Sequence, residues 1–184
     1  MKATRMTIGA IGEAAVALEL LKKRFDVINI NNHYRNYKNA DLVCMNPDTG
    51  KSIMIQVKTG TTHNILTGFT SELDGTIPNI DNAIIGPWVF VHIPNEDFSQ
   101  MMFYILSKEE IKELITSSNL WYVNEWNRTL TSKPMVGVYT EWLEGKNQPG
   151  KSTKKYKYPE YKNPLGNDPK IALERWDKIE NLLK

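Results

Sequence analysis

The fold is decided by residues 39–59, which read Asn39-Ala40-Asp41-Leu42-Val43-Cys44-Met45, then Asn46-Pro47-Asp48-Thr49-Gly50, then Lys51-Ser52-Ile53-Met54-Ile55-Gln56-Val57-Lys58-Thr59. Two apolar runs flank a segment that is rich in turn-forming residues. Pro47 fixes φ and Gly50 accepts a positive φ, so the segment between the runs predicts a tight turn. The stretch therefore predicts a β-hairpin.

The second strand of this hairpin has a period of two. Ile55 and Val57 are expected on one face, and Gln56 and Lys58 on the other. Asp41 lies on the first strand and could join Gln56 and Lys58. The hairpin therefore predicts a polar patch beside a buried face, and we place the candidate chemistry there.

The segments around the hairpin predict a mixture of helices and strands. The predicted elements are a helix at 7–25, strands at 26–30, 87–93 and 101–106, a helix at 108–116, and a last helix that starts at Asp168-Pro169. Residues 59–86 are predicted to be loop, with one short helix near 80–84. This order indicates an α/β or α+β domain with a mixed central sheet.

Two glycines in the first helix predict a close contact. Thr7 is the predicted N-cap of this helix, and Gly9 and Gly12 each cost about 1 kcal/mol relative to Ala. That cost predicts a close approach of the helix to another element, such as a sheet. In the later helix, Ser107 and Glu110 form a predicted capping box.

Length and composition indicate one intracellular domain. The chain has 184 residues and is predicted to form a single domain, with a core at about 7–118 and a C-terminal extension at about 119–184 that ends in a helix. Its net charge of +2 alone does not indicate a nucleic-acid partner. The only cysteine, Cys44, excludes an internal disulfide; a buried thiol in a reducing cytoplasm is expected. No run of 18 apolar residues predicts a membrane span.

Two polar segments are candidates for nucleic-acid contacts. The loop 31–38, which includes Arg35, is rich in groups that can bind phosphates or bases. The segment 146–162 interleaves lysines, among them Lys154, Lys155 and Lys157, with tyrosines. Such a segment can contact phosphates and stack on bases, or it can be a solvated loop. The tryptophans Trp121, Trp126, Trp142 and Trp176 are predicted to pack over one side of the sheet.

The sharpest set of polar residues is Glu13, Asp41, Gln56 and Lys58. Magnesium prefers oxygen ligands, and two carboxylates, an amide oxygen and a backbone carbonyl would serve. A lysine beside such a cation can position water and stabilise charge on a phosphate. The alternative is a solvated strand face without chemistry.

Two other kinds of site are disfavoured. The three histidines, His33, His63 and His92, lack metal-ligand spacing, and His92 is expected to be a hydrogen-bonded core residue. Residues 50–52 end like a phosphate-binding P-loop, but Met45 stands where that loop needs glycine.

The sequence around Glu13, Asp41, Gln56 and Lys58 resembles that of a known family. Gly9-x-x-Gly12-Glu13 on an opening helix, Asp41 on a strand, and Gln56-Val57-Lys58-Thr59 on the next strand resemble the PD-(D/E)XK nuclease superfamily. The resemblance covers residues 7–106. It implies a restriction-endonuclease-like αβββαβ core with a mixed central sheet.

The resemblance also implies an activity and roles for single residues. Glu13, Asp41, Gln56 and the Val57 carbonyl would bind Mg²⁺ or Mn²⁺, and Lys58 would orient or help activate water. The expected function is a magnesium-dependent deoxyribonuclease that hydrolyses DNA phosphodiester bonds. DNA is the expected partner, and a homodimer is one way to cut both strands.

One departure leaves an alternative open. Most members of the superfamily have Glu or Asp where this chain has Gln56, and Ala40 replaces the Pro that usually precedes the acid. An uncharged Gln56 would weaken metal binding. If it abolishes binding, the chain would be a catalytically inactive module that binds nucleic acid or a protein partner.

Overall fold

The computed structural model describes residues 3–32, 37, 39–126, 131–147 and 158–184. The helices are α1 (Arg5–Lys22), α2 (Ile80–Ala83), α3 (Lys108–Trp121), α4 (Thr140–Leu143) and α5 (Asp177–Leu183). The strands are β1 (Asp26–Asn29), β2 (Leu42–Met45), β3 (Ser52–Gly60), β4 (Asn64–Thr70), β5 (Trp88–His92), β6 (Met102–Leu106) and β7 (Met135–Tyr139). A 3₁₀ turn, Ile30–Asn32, follows β1, and a π-helical turn, Tyr122–Trp126, follows α3.

The central sheet has five strands in the order β1-β2-β3-β5-β6. Strands β3 and β5 are parallel, and the other neighbours are antiparallel. The predicted hairpin is confirmed as β2 and β3, with Leu42 opposite Ile55. The chain therefore has the predicted α/β class with a mixed sheet.

Helix α1 begins earlier than predicted. Its N-cap is Thr4, whose side chain accepts a hydrogen bond from the Thr7 amide at 3.1 Å, so the prediction of Thr7 as N-cap is wrong. The helix ends at Lys22 and not at Phe25. The predicted capping box of α3 is confirmed, with both bonds between Ser107 and Glu110 present.

Apolar side chains cover both faces of the sheet. Helices α1 and α5 pack on one face through residues such as Val16, Leu20 and Ile179. Helix α3 and the β4–β7 pair cover the other face. Cys44 lies fully buried on the α1 side, as expected. Burial raises the pKa of its thiol to about 12.

The tryptophans do not all lie on one side. Trp121 and Trp142 are buried on the α3 face, with Trp126 packed against that cluster, whereas Trp176 is buried on the α1 face. There Trp176 contacts Phe103, with ring centroids 5.5 Å apart. The prediction that they pack is therefore confirmed, and the prediction of one shared side is wrong.

The predicted loop 59–86 contains a strand. Strand β4 pairs antiparallel with β7 outside the central sheet. Gly68 has a φ of +91°, and the register shifts between Leu66 and Thr70. Burial alternates along β4, but the polar Thr67 is buried and the apolar Leu66 is exposed, so the sequence shows no apolar alternation there. The short helix predicted near 80–84 is present as α2.

The last helix does not start at Asp168-Pro169. Residues 172–174 are instead held beside strand β6: the Ile105 amide donates to the Ala172 carbonyl at 2.8 Å, and the Glu174 amide donates to the Phe103 carbonyl at 2.9 Å. These bonds hold the chain against the sheet edge, and the helix begins only at Asp177. Among the described residues, no helix combines the length and apolar character needed to cross a membrane.

Candidate active site

Asp41 lies immediately before β2 and is fixed there by its backbone and its side chain. Its amide donates to the Ile55 carbonyl at 2.9 Å, and its own carbonyl accepts from the Ile30 amide at 2.8 Å. Its Oδ2 accepts from the Val57 amide at 2.8 Å and from Gln56 Nε2. The residue is only 8% exposed. The carboxylate therefore has one defined position against β3.

Glu13 reaches the same place from α1 through two asparagines. Asn29 Nδ2 donates to Glu13 Oε2 at 2.9 Å, and Asn31 Nδ2 donates to Glu13 Oε1 at 3.2 Å. The same Asn31 nitrogen donates to Asp41 Oδ1 at 3.0 Å. The structure thus brings together the two acids that the sequence proposed.

Neither asparagine was singled out as a site residue by the sequence analysis. Asn31 belongs to the polar loop 31–38, and Asn29 ends β1. Their common signal is the spacing Asn29-Ile30-Asn31, in which two amides flank a buried isoleucine where a strand ends. In the structure Asn31 lies in the 3₁₀ turn after β1, and both amides reach Glu13.

Gln56 and Lys58 share a face of β3, as the alternation predicted. Gln56 pairs with Trp88 and Lys58 with Phe90 across the parallel ladder. Gln56 is 5% exposed, and in the present rotamer its amide nitrogen faces Asp41. A 180° rotation of the amide group would turn Oε1 toward the carboxylates.

Lys58 lies between an aromatic ring and strand β4. Its Nζ is 5.4 Å from the Trp88 ring centroid. A Cβ atom on Gly68 of β4 would lie 3.8 Å from the same Nζ. Burial lowers the pKa of Lys58, and the carboxylates of Asp41 and Glu13 oppose this decrease. The amine is therefore electrostatically coupled to both acids.

The donor set fits a hard divalent cation. No group of three or more His, Cys, Asp or Glu side chains suited to a metal occurs in the described parts of the chain. A cation beside Glu13 and Asp41 would therefore need neutral oxygen ligands as well. The Gln56 amide oxygen and the Val57 carbonyl are such oxygens, and magnesium and manganese accept them.

His63 and His92 make no contact with the candidate site residues in the described structure, and His33 lies outside the described residues. His63 Nδ1 is 3.3 Å from Thr140 Oγ1 and 3.3 Å from a Glu141 carboxylate oxygen. His92 is buried as predicted, and among the described residues its Nδ1 has no hydrogen-bond partner. The four residues predicted to contact nucleic acid, Arg35, Lys154, Lys155 and Lys157, lie outside the described residues.

Comparison with known proteins finds a similar fold and no similar sequence. No protein-family model matches the chain, and no curated protein matches its sequence. The fold is similar to that of a bacterial homing endonuclease, I-Ssp6803I, with a TM-score of 0.53 and 14% sequence identity. The match covers 97% of this chain and 95% of that one. At this identity the likeness concerns the fold.

Proposed function

We propose that this protein is a metal-dependent endonuclease of the PD-(D/E)XK type that hydrolyses phosphodiester bonds in DNA. One observation carries the proposal: Asp41 contacts Gln56 and Val57 directly and is joined to Glu13 through Asn31, with Lys58 coupled to both acids. The fold shared with a homing endonuclease supports it.

Glu13, Asp41, the Gln56 amide oxygen and the Val57 carbonyl would hold Mg²⁺ or Mn²⁺. When bound, the cation would supply positive charge at the phosphate under attack. Lys58 orients the attacking water and takes its proton at Nζ, because burial increases the share of the neutral amine. As the water oxygen bonds to phosphorus, the bond between phosphorus and the leaving oxygen breaks.

Plasmid cleavage tests this function with matched controls. Supercoiled DNA is incubated with Mg²⁺ or Mn²⁺ and the wild type, Asp41→Ala or Lys58→Ala. The controls are Asp48→Ala, an exposed acid in the hairpin turn, and Lys51→Ala, an exposed lysine just before β3. Nicking should fall at least about 100-fold in the two site variants and stay unchanged in the controls. Unchanged nicking in both site variants would rule out this site.

A second candidate is a catalytically inactive module that binds nucleic acid or protein. The observation that favours it is the bond from Gln56 Nε2 to Asp41 Oδ2, which satisfies the carboxylate without a cation. DNA retardation in EDTA, weakening steeply with salt, together with no nicking under any condition, would establish a binding module. Absence of nucleic-acid binding would point to a protein partner.

The proposal extends to assembly and location. Two copies of the chain would place two sites on opposite strands, so we propose a homodimer on DNA. Sedimentation of the protein with and without duplex DNA tests the homodimer, and a single copy on every cleaved duplex would contradict it.

A cytoplasmic location is compatible with a DNA substrate and with the free thiol of Cys44.

A further inference from the structure

A single side chain joins the two acids of the candidate site. Asn31 Nδ2 lies 3.2 Å from Glu13 Oε1 and 3.0 Å from Asp41 Oδ1. An amide –NH₂ carries two hydrogens, so it can donate one to each carboxylate. Among the described residues, Asn31 alone has a side chain hydrogen-bonded to both acids.

The position of Asn31 is itself fixed. Its backbone amide donates to Asn29 Oδ1 at 2.9 Å, and Asn29 Nδ2 donates in turn to Glu13. The residue between them, Ile30, is buried, and its amide donates to the Asp41 carbonyl. The segment 29–31 is therefore held to both α1 and β2, and Asn31 cannot shift without breaking several bonds.

The two acids need such a partner in the absence of a cation. Neighbouring carboxylates repel each other, and donors directed at both of them offset that repulsion. Each carboxylate oxygen has a second lone pair, so a bond from Asn31 leaves room for a cation on the same oxygen. Asn31 can therefore hold the acids in place before and after a cation binds.

We propose that Asn31 is a positioning residue that preorganises Glu13 and Asp41 as ligands of one divalent cation. The inference rests on the proposed function, because that function supplies the cation. Groups that orient metal ligands by hydrogen bonds typically change metal affinity about 10- to 100-fold when they are removed.

Manganese binding tests this role without DNA. Free Mn²⁺ is titrated by electron paramagnetic resonance with the wild type, Asn31→Ala, Asn31→Leu and Asn32→Ala. The leucine variant keeps the branched shape of the Asn31 side chain if alanine fails to fold. Asn32 is exposed and is the matched control. We expect about 10- to 100-fold weaker binding in both Asn31 variants and wild-type affinity in Asn32→Ala.

Water-proton relaxation supplies a readout that a purely structural role would not change. If one carboxylate moves away in an Asn31 variant, water takes its place and the number of waters on Mn²⁺ rises. Wild-type affinity and water number in a folded Asn31 variant would overturn the inference while the proposed function stands. Failure of the wild type itself to bind Mn²⁺ would overturn both.

Discussion

Gly12 of α1 lies directly against Thr59 of β3: a Cβ atom on residue 12 would be 1.9 Å from Thr59 Oγ1. This contact brings the helix close to the sheet, as predicted from Gly12; the same prediction from Gly9 is wrong, because a Cβ atom there would meet nothing within 4 Å. Because Glu13 follows Gly12 on the helix, the same contact sets how far the Glu13 carboxylate lies from Asp41.

The first prediction compares the two glycines of α1. Gly12→Ala should lower the free energy of unfolding by about 1–3 kcal/mol, because the new methyl group overpacks the contact with Thr59. Gly9→Ala should raise it by up to about 1 kcal/mol, since a Cβ there meets nothing within 4 Å and Ala favours the helix. Urea unfolding measures both. Equal effects of the two substitutions would contradict the close contact.

The second prediction concerns the amine of Lys58. Burial lowers the pKa of Lys58 in the folded protein, so the charged amine costs stability at neutral pH, and this cost falls as the pH rises from the folded pKa toward 10.5. Lys58→Met should therefore raise the melting temperature at pH 7 by about 2 °C while cleavage is lost. Lys51→Met, at an exposed position, should change neither quantity.

The lowered pKa of Lys58 also predicts how the cleavage rate depends on pH. If Lys58 takes the proton of water, the rate should rise with pH until its pKa, which lies below the ordinary value of 10.5, is passed. A rate that falls over this range would show that the protonated amine is the active form.

The third prediction concerns three lysines of the segment 146–162 and Arg35 of the loop 31–38. Replacing Lys154, Lys155 and Lys157 by Ala should reduce the slope of log affinity for duplex DNA against log salt by about 3 if each contacts one phosphate. Arg35→Ala should reduce it by about 1. Fluorescence anisotropy at several salt concentrations measures the slope. An unchanged slope would favour the alternative of a solvated loop.

The fourth prediction concerns alkaline stability. Burial, reinforced by the charge of Asp26, raises the pKa of Cys44 from 9.0 to about 12. The unfolded chain therefore loses this proton first, and the stabilisation present below pH 9 is lost between pH 9 and about 12. Between pH 9 and 11 the wild type should lose about 1 kcal/mol per pH unit more than Cys44→Ala. Urea unfolding at several pH values measures the free energy of unfolding of both proteins. An equal loss of that free energy with pH in the two proteins would contradict the prediction.

The parts of the fold that the sequence predicted depend on local patterns. The hairpin turn, the alternation of Gln56 and Lys58, and the capping box of α3 are each set by residues a few positions apart. For the same reason the hairpin predicted how Asp41, Gln56 and Lys58 lie together. Glu13 was included in the predicted set as a second carboxylate, but no local pattern predicted its position beside Asp41, because its approach depends on helix packing.

The parts that were missed depend on distant residues. Strand β4 pairs with residues 65 to 75 positions later in the chain, and its register shifts between Leu66 and Thr70. Asp168-Pro169 carries a helix-start signal, but the residues that follow form turns, and bonds to β6 hold residues 172–174 beside the sheet. Asn31 was missed as a site residue because its role comes from touching two separate elements.

The bonds between residues 172–174 and strand β6 have a consequence for the behaviour of the whole molecule. An open sheet edge presents unpaired backbone groups that can recruit a strand from another molecule and lead to aggregation. Here the chain covers the β6 edge with its own C-terminal segment, secured by Trp176 and α5 in the core. The C-terminal extension thus helps to keep a protein with a long mixed sheet from assembling through that edge with copies of itself.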